Sequence, residues 1–265
     1  MFFIDTHCHL NYELYRETLP QTLERAIDAG INRLVVPGTD LESSLRAVDL
    51  AMKYPMIFAA VGVHPIDIHK FHESQVTTFD DLLRNDKVVA VGEVGLDKFH
   101  HPETISAQED IFDIMLNLAS THHKPLILHS RNAINDLLAL LQKWVLREMD
   151  DGQNFLGVFH GFEGNADQAI EVINNHMAIG VGGPITFKNA IDKQNLLRII
   201  GVNQIVLETD APFLSPHPFR GQPNEPARIP IIAQKVADLL NLNIEDIATI
   251  TNRNSQSLFR WDDIH

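Results

Sequence analysis

The sequence predicts an α/β chain closed into a single (β/α)8 TIM barrel, and three observations carry that prediction. Short apolar runs alternate with helical patterns from the first residue to about residue 210. The runs are continuous rather than alternating, as parallel strands buried on both faces require. Eight of them can be counted, and no Gly-x-Gly-x-x-Gly follows the first to favour an open, doubly wound sheet.

In chain order the predicted strands are Phe2 to His9, Asn32 to Pro37, Ile57 to His64, Val88 to Gly95, Leu126 to His129, Leu156 to Gly161, Ala178 to Gly183 and Gln204 to Asp210. Each precedes a loop and then a helical segment. Leu41, Leu45, Val48 and Met52 recur at 3.6-residue spacing, as do Ile134, Leu137, Leu138, Leu141 and Val145, which predicts two stripes packed against the sheet. Ser106 and Glu109 have the spacing of a capping box, and Gly30 and Gly201 stand where helices should end. Pro212 to Pro226 is a proline-dense stretch without periodicity, expected over the carboxyl ends of the strands, where a loop of this length usually serves function. Pro230 to Asn241 reads as the last barrel helix, with short helical pieces after it.

A chain of 265 residues is about the length that such barrels use as one unit, so a single domain over 1–265 is expected. Hydrophobic residues make up 45% and charged residues 21%, near globular averages, which excludes disordered, fibrous and disulfide-scaffold classes. The start lacks a basic segment followed by a long apolar one, and no stretch approaches the roughly 18 apolar residues of a spanning helix, so no membrane association is expected. The single cysteine, Cys8, is compatible with a reducing cytosol, and the cytoplasm is the expected compartment. Lys plus Arg number 21 against 35 Asp plus Glu, a formal charge of −14, which argues against a long duplex-binding surface. A phosphorylated substrate stays open, because divalent ions would reverse the field inside a small cleft.

His7 and His9 stand two apart on the first predicted strand, so both imidazoles point to one side and Cys8 to the other, toward the helices and the apolar core. Alone, a His-x-His pair is weak evidence, since histidines also serve as hydrogen-bonded core residues. What changes its weight is that Glu93, His129, His160 and Asp210 fall at the ends of the fourth, fifth, sixth and eighth strands, where barrel active sites form. These six residues are of metal-ligand types, and so many ionisable groups at one barrel mouth require a cation to neutralise them.

Ile4-Asp5-Thr6-His7-Cys8-His9, Gly62-Val63-His64-Pro65, Val91-Gly92-Glu93-Val94-Gly95-Leu96-Asp97, His129-Ser130-Arg131, His160-Gly161-Phe162 and Leu207-Glu208-Thr209-Asp210-Ala211-Pro212 together resemble the signature blocks of the TatD family of metal-dependent deoxyribonucleases. Asn252 to Phe259 resembles that family's terminal helix, so the resemblance covers nearly the whole chain. It implies a metallo-dependent hydrolase barrel with two divalent ions, magnesium, manganese or zinc. His7, His9, Glu93 and Asp210 would surround one ion and Glu93, His129 and His160 the other, with Glu93 bridging. It also implies phosphodiester hydrolysis, with Glu93 and Asp210 catalytic and Asp210 the candidate for orienting and deprotonating the attacking water. A deep barrel mouth and the acidic surface favour DNA or oligonucleotide ends over an internal duplex site, and 3′-5′ action on single strands is expected. His64, Arg131 and Glu163 would face substrate, although Arg131 could equally sit in a structural ion pair. No obligate protein partner is evident. A barrel amidohydrolase acting on an amide, lactone or phosphotriester is the alternative within enzymes; Glu93 at the end of the fourth strand, with Lys98 the nearest downstream lysine, favours the nuclease-like branch. A non-catalytic metal- or nucleotide-binding protein is the alternative outside them, and the presence of all six candidate ligands argues against it.

Overall fold

The computed structural model describes residues 1–149 and 155–261. Eight parallel strands, β1 (Phe3–Asp5), β2 (Ile31–Pro37), β3 (Ile57–Val61), β4 (Val88–Asp97), β5 (Leu126–Arg131), β6 (Gly157–Phe159), β7 (Met177–Val181) and β8 (Ile205–Leu207), pair in sequence order. The circle closes where the Thr6 N–H donates to the Leu207 carbonyl at 3.0 Å and the Asp210 N–H to the His7 carbonyl at 2.8 Å. Asp5 reinforces this seam, accepting the Thr209 N–H at 3.0 Å and its hydroxyl at 2.6 Å.

Around the strands run α1 (Leu19–Asp28), α2 (Leu41–Lys53), α3 (Val76–Leu83), α4 (Ile105–Thr121), α5 (Ile134–Glu148), α6 (Ala166–Asn174), α7 (Ile191–Ile200), α8 (Ile229–Leu240) and α9 (Ile244–Phe259). Gly30 and Gly201 follow α1 and α7 with φ of 82° and 70°, the left-handed C-terminal geometry glycine allows. The predicted stripe of α5 is buried as expected, and the last barrel helix matches α8 to within a residue. None of the described helices is long and apolar enough to cross a membrane.

Three local expectations fail. The buried face of α2 is Ser43, Ser44, Ala47, Val48 and Ala51, while Leu45 and Met52 are exposed. The helix lies so close to the sheet that a Cβ on Gly38 would fall 2.1 Å from the Ser44 Oγ, so small residues win the inner face over larger apolar ones. No capping box joins Ser106 to Glu109: α4 starts one residue earlier, at Ile105, and Gln108 donates to Thr104 Oγ1 at 3.0 Å and to the Asp97 carbonyl at the same distance. Beyond α8 the chain forms one long helix, α9, rather than short pieces, with Asn243 accepting the Asp246 N–H as its N-cap.

Two apolar clusters follow from strand parity. The larger lies between sheet and helices and contains Cys8, as its parity predicts. The smaller takes Val35, Ala60, Ala90, Ile127, Val158, Ala178 and Val206 from β2 to β8 and is capped by Leu258 and Phe259 of α9. Two residues beyond Ile127, Val158 and Val206 come His129, His160 and Glu208, so the period-2 rule carries the packed interior directly into the site. In β4 that rule would deliver Gly92. The register instead shifts between Val91 and Val94, and this bulge delivers Glu93. Gly95, with φ of 142°, completes the bend; a Cβ there would meet the His129 carbonyl oxygen at 2.0 Å.

Candidate metal centre

Glu93, buried at the centre of the mouth, divides its two oxygens between two sets of imidazoles. Oε2 lies 3.4 Å from His7 Nε2 and 3.6 Å from His9 Nε2. Oε1 lies 3.1 Å from His129 Nδ1, 3.7 Å from His160 Nε2 and 3.4 Å from His64 Nε2. Asp210, turned inward by a left-handed φ of 56°, brings Oδ1 to 3.7, 3.5 and 3.9 Å from the Nε2 atoms of His7, His9 and His160. All six predicted ligands therefore meet in one place, and His64 joins them. Three overlapping groups have the proximity that an ion requires: His7, His160 and Asp210; His7, His9 and Glu93; His64, Glu93 and His129.

The donors fit a divalent cation. His7 Nε2 and His9 Nε2 lie 3.1 Å apart beside the Glu93 and Asp210 carboxylates, and the Nδ1 atoms behind both rings are buried without a hydrogen bond. Neutral nitrogens and carboxylate oxygens are the ligand set of zinc, manganese and related ions, and a cation removes the repulsion of lone pairs aimed at one point.

Tautomers separate His64 from the others. Its Nδ1 accepts the Ile66 N–H at 3.2 Å, so in the neutral ring the proton sits on Nε2, which faces the centre as a donor rather than as a ligand. Burial pushes the His64 pKa down, which keeps the ring neutral. His129 has the opposite arrangement: Nε2–H donates to Asp97 Oδ2 at 3.3 Å and leaves Nδ1 to the centre. His160 Nδ1 stands 3.3 Å from Glu208 Oε1, a charged contact too poorly aligned to count as a hydrogen bond, and Nε2 faces Glu93 and Asp210.

Charge explains the ionisation of the group. Burial pushes His7 down, and the neighbouring His160 adds to that. His160 moves the other way, up to about 10: burial opposes the shift, but the carboxylates of Glu208 and Asp210 outweigh it. His129 is also raised, against its burial, by Asp97 and Glu93. Burial likewise opposes ionisation of Glu93 and Asp210, yet the surrounding imidazoles hold both below the usual carboxylate range.

Sequence reasoning overlooked Asp97 and Glu208, which stand behind two ligands, although both lie inside the recognised blocks. Asp97 also accepts the N–H groups of Phe99 and His100 at 2.9 and 2.7 Å. Glu208 accepts the Gly161 N–H at 2.7 Å, and Gly180 makes room for it, since a Cβ there would lie 2.3 Å from Glu208 Oε2. Tyr12 was missed too; its ring stacks on His9 at 4.7 Å, with Phe213 edge-on to both. The centre forms a cavity of about 320 Å³, with Phe213 of the proline-dense loop on its wall. Arg131 and Glu163 stand outside it, ion-paired to each other on the rim of a neighbouring groove.

Comparison with known proteins agrees with this geometry. The family model described as TatD related DNase matches residues 4–260. An uncharacterized metal-dependent hydrolase of Bacillus subtilis, YabD, is 36% identical, the match covering 97% of this chain and 98% of the relative. A protein of Edwardsiella piscicida named 3′-5′ ssDNA/RNA exonuclease TatD is 34% identical over 97% of this chain and 99% of its own. The crystal structure of YjjV, a TatD homolog from Escherichia coli, superposes with a TM-score of 0.91 at 33% identity, covering 98% of each chain. With family model, fold and matched length in agreement, this chain belongs to the TatD-related family of metal-dependent hydrolases.

Proposed function

We propose that the chain, acting as one barrel domain over 1–265, hydrolyses phosphodiester bonds at the 3′ end of single-stranded DNA or related oligonucleotides. Two divalent ions, magnesium, manganese or zinc, would be held by His7, His9, Glu93 and Asp210 and by Glu93, His129 and His160. The observation that carries this reading is the division of Glu93, one oxygen toward His7 and His9 and the other toward His129 and His160. When bound, the ions supply an activated water and neutralise charge on the phosphoryl group.

The protein's own groups do the rest. Asp210 presents Oδ1 to three imidazoles, and its second oxygen takes the proton of the attacking water. His64, neutral with its proton on Nε2, donates to a phosphoryl oxygen, a role that strengthens as charge develops there. Arg131 contacts the next phosphate at the rim, and Glu163 holds its guanidinium in place. A centre of about 320 Å³ walled by the loop after β8 favours a strand end over an internal duplex site, and the name of the Edwardsiella relative supports the same polarity.

The test is cleavage of a 5′-labelled single-stranded oligonucleotide by metal-stripped protein, titrated separately with magnesium, manganese and zinc. A metal-restored ladder shortening from the 3′ end is expected. No cleavage with any ion, despite metal uptake, overturns the proposal and directs attention to amide and lactone substrates.

A further inference from the structure

Beside the metal centre lies a larger groove, about 860 Å³, that the chemistry at the ions does not use. Gly161 and Leu214, the chain neighbours of His160 and Phe213, line it, so the groove lies next to the centre. Its walls carry two aromatic rings, each held by a guanidinium. Phe99 is 57% exposed, with Arg131 5.1 Å from its ring centre; Phe187 has Arg220 at 4.3 Å. Both backbones are fixed, Phe99 through its N–H to Asp97 and Phe187 through its carbonyl, which accepts from Gln194 at 3.1 Å. Asn132 and Asn189 add side-chain amides with both donors and acceptors.

The charge of the groove lining is balanced, Arg131 being paired to Glu163 and Lys193 sharing the lining with Asp192, and Arg220 on Phe187 adds one further cation at its edge. In a protein of formal charge −14 this is no track for a phosphate backbone. Rings stiffened by cations, beside amides, suit unpaired bases, because every base has a face to stack and exposed edges to hydrogen-bond.

We propose that this groove binds the nucleotides upstream of the scissile bond by base stacking on Phe99 and Phe187, and that this stacking is what selects single strands. Resting on the function proposed above, it adds the source of strand selectivity. A duplex keeps its base faces covered and has nothing to offer the two rings. The nearly balanced charge of the groove sets a second expectation, a shallow dependence of binding on salt.

The experiment uses the full-length, metal-loaded protein and fluorescein-labelled phosphorothioate oligothymidylates of two and eight nucleotides, with binding read by fluorescence anisotropy. Hydrolysis of bis(p-nitrophenyl) phosphate is followed in parallel as a measure of the centre alone. The octamer is expected to bind at least about 10-fold more tightly than the dinucleotide. Phe99→Ala and Phe187→Ala should each weaken octamer binding by about 10-fold, the loss of one stacked base, and leave dinucleotide binding and diester hydrolysis unchanged. Phe99→Tyr and Phe187→Tyr should restore it. Between 50 and 200 mM salt the octamer should lose less than about 10-fold, as for contact with one or two phosphates. Equal affinity for both lengths, normal octamer binding by both alanine variants, or a salt loss near 1000-fold would each overturn the groove assignment. Length-dependent binding that needs the two rings, with no diester hydrolysis, would sustain the groove and sink the nuclease reading instead.

Discussion

The two halves of the metal centre are built differently. On the β1 side, the Nδ1 atoms of His7 and His9 are buried without a hydrogen bond, as is that of His160, but among the described residues no carboxylate stands against them. On the β5 and β6 side, His129 and His160 each face a buried carboxylate, Asp97 and Glu208. A carboxylate behind a ligating imidazole fixes its tautomer and raises its basicity. On the proposed assignment the second half is therefore the stronger ligand pair, and its imidazoles are the ones held above the usual histidine range. The first half depends on Glu93 and Asp210 for all of its negative charge.

Glu93→Gln removes the group that the halves share, and it should have the largest effect. Hydrolysis is expected to fall on the order of 10³-fold, with metal content measured by mass spectrometry dropping at both positions. Retention of full metal at the His7–His9 position would show that the halves are independent. Next come Asp97→Asn and Glu208→Gln, each expected to weaken metal binding about 10- to 100-fold at the His129–His160 position only, as read by competition with a chelating dye. Equal losses at both positions would erase the asymmetry.

The proton content of the halves gives a third prediction. His160 is held up to about 10, so near neutral pH it must lose a proton before it can bind a metal, and His129 is shifted in the same direction. Affinity at that position should rise with pH toward 10 and fall as pH drops. His7 is pushed down by burial, so the proton it would lose is already absent at neutral pH. Calorimetry in buffers of different ionisation enthalpy counts the released protons; none released at pH 7 would contradict the assignment.

Smaller effects are expected from the supports. Gly180→Ala pushes on the Glu208 carboxylate and should lower activity several-fold through KM for the metal, with the fold intact by circular dichroism. Asp5→Ala leaves two buried backbone N–H groups and the Thr209 hydroxyl without their acceptor, and should lower the unfolding free energy in denaturant by about 1–3 kcal/mol. Asp5→Asn, which keeps an acceptor oxygen, should lose less.

Much of this site was legible in the sequence because strand parity is a simple rule. His129 and His160 follow from counting along continuous apolar runs, and Cys8 falls on the opposite face for the same reason, whereas Asp210 lies beyond the end of β8 and is turned inward by its left-handed φ. Glu93 was expected at the mouth as the end of the fourth strand, but parity alone would have selected Gly92, because a bulge is a pairing between two strands that neither strand records by itself. Asp97 and Glu208 escaped for a related reason: their roles are set by partners 32 and 48 residues away in sequence. For Glu208, standing two residues before Asp210, the parity that pairs His7 with His9 was the available signal. The face of α2 was misjudged because close approach to the sheet, rather than apolar periodicity, decides which residues turn inward there.

The seam between β1 and β8 also gives the centre a history. Asp5 and Thr209, which join across it, are 204 residues apart. A chain made from its amino end at 5–20 residues per second needs roughly 10 to 40 s between them. During that interval Glu93, His129 and His160 have already been made, whereas His7 and His9 wait for Asp210 and for the strand that closes the circle. Glu208, which stands behind His160, is made only one residue before Thr209, so both halves of the candidate centre are completed by the same strand that shuts the barrel.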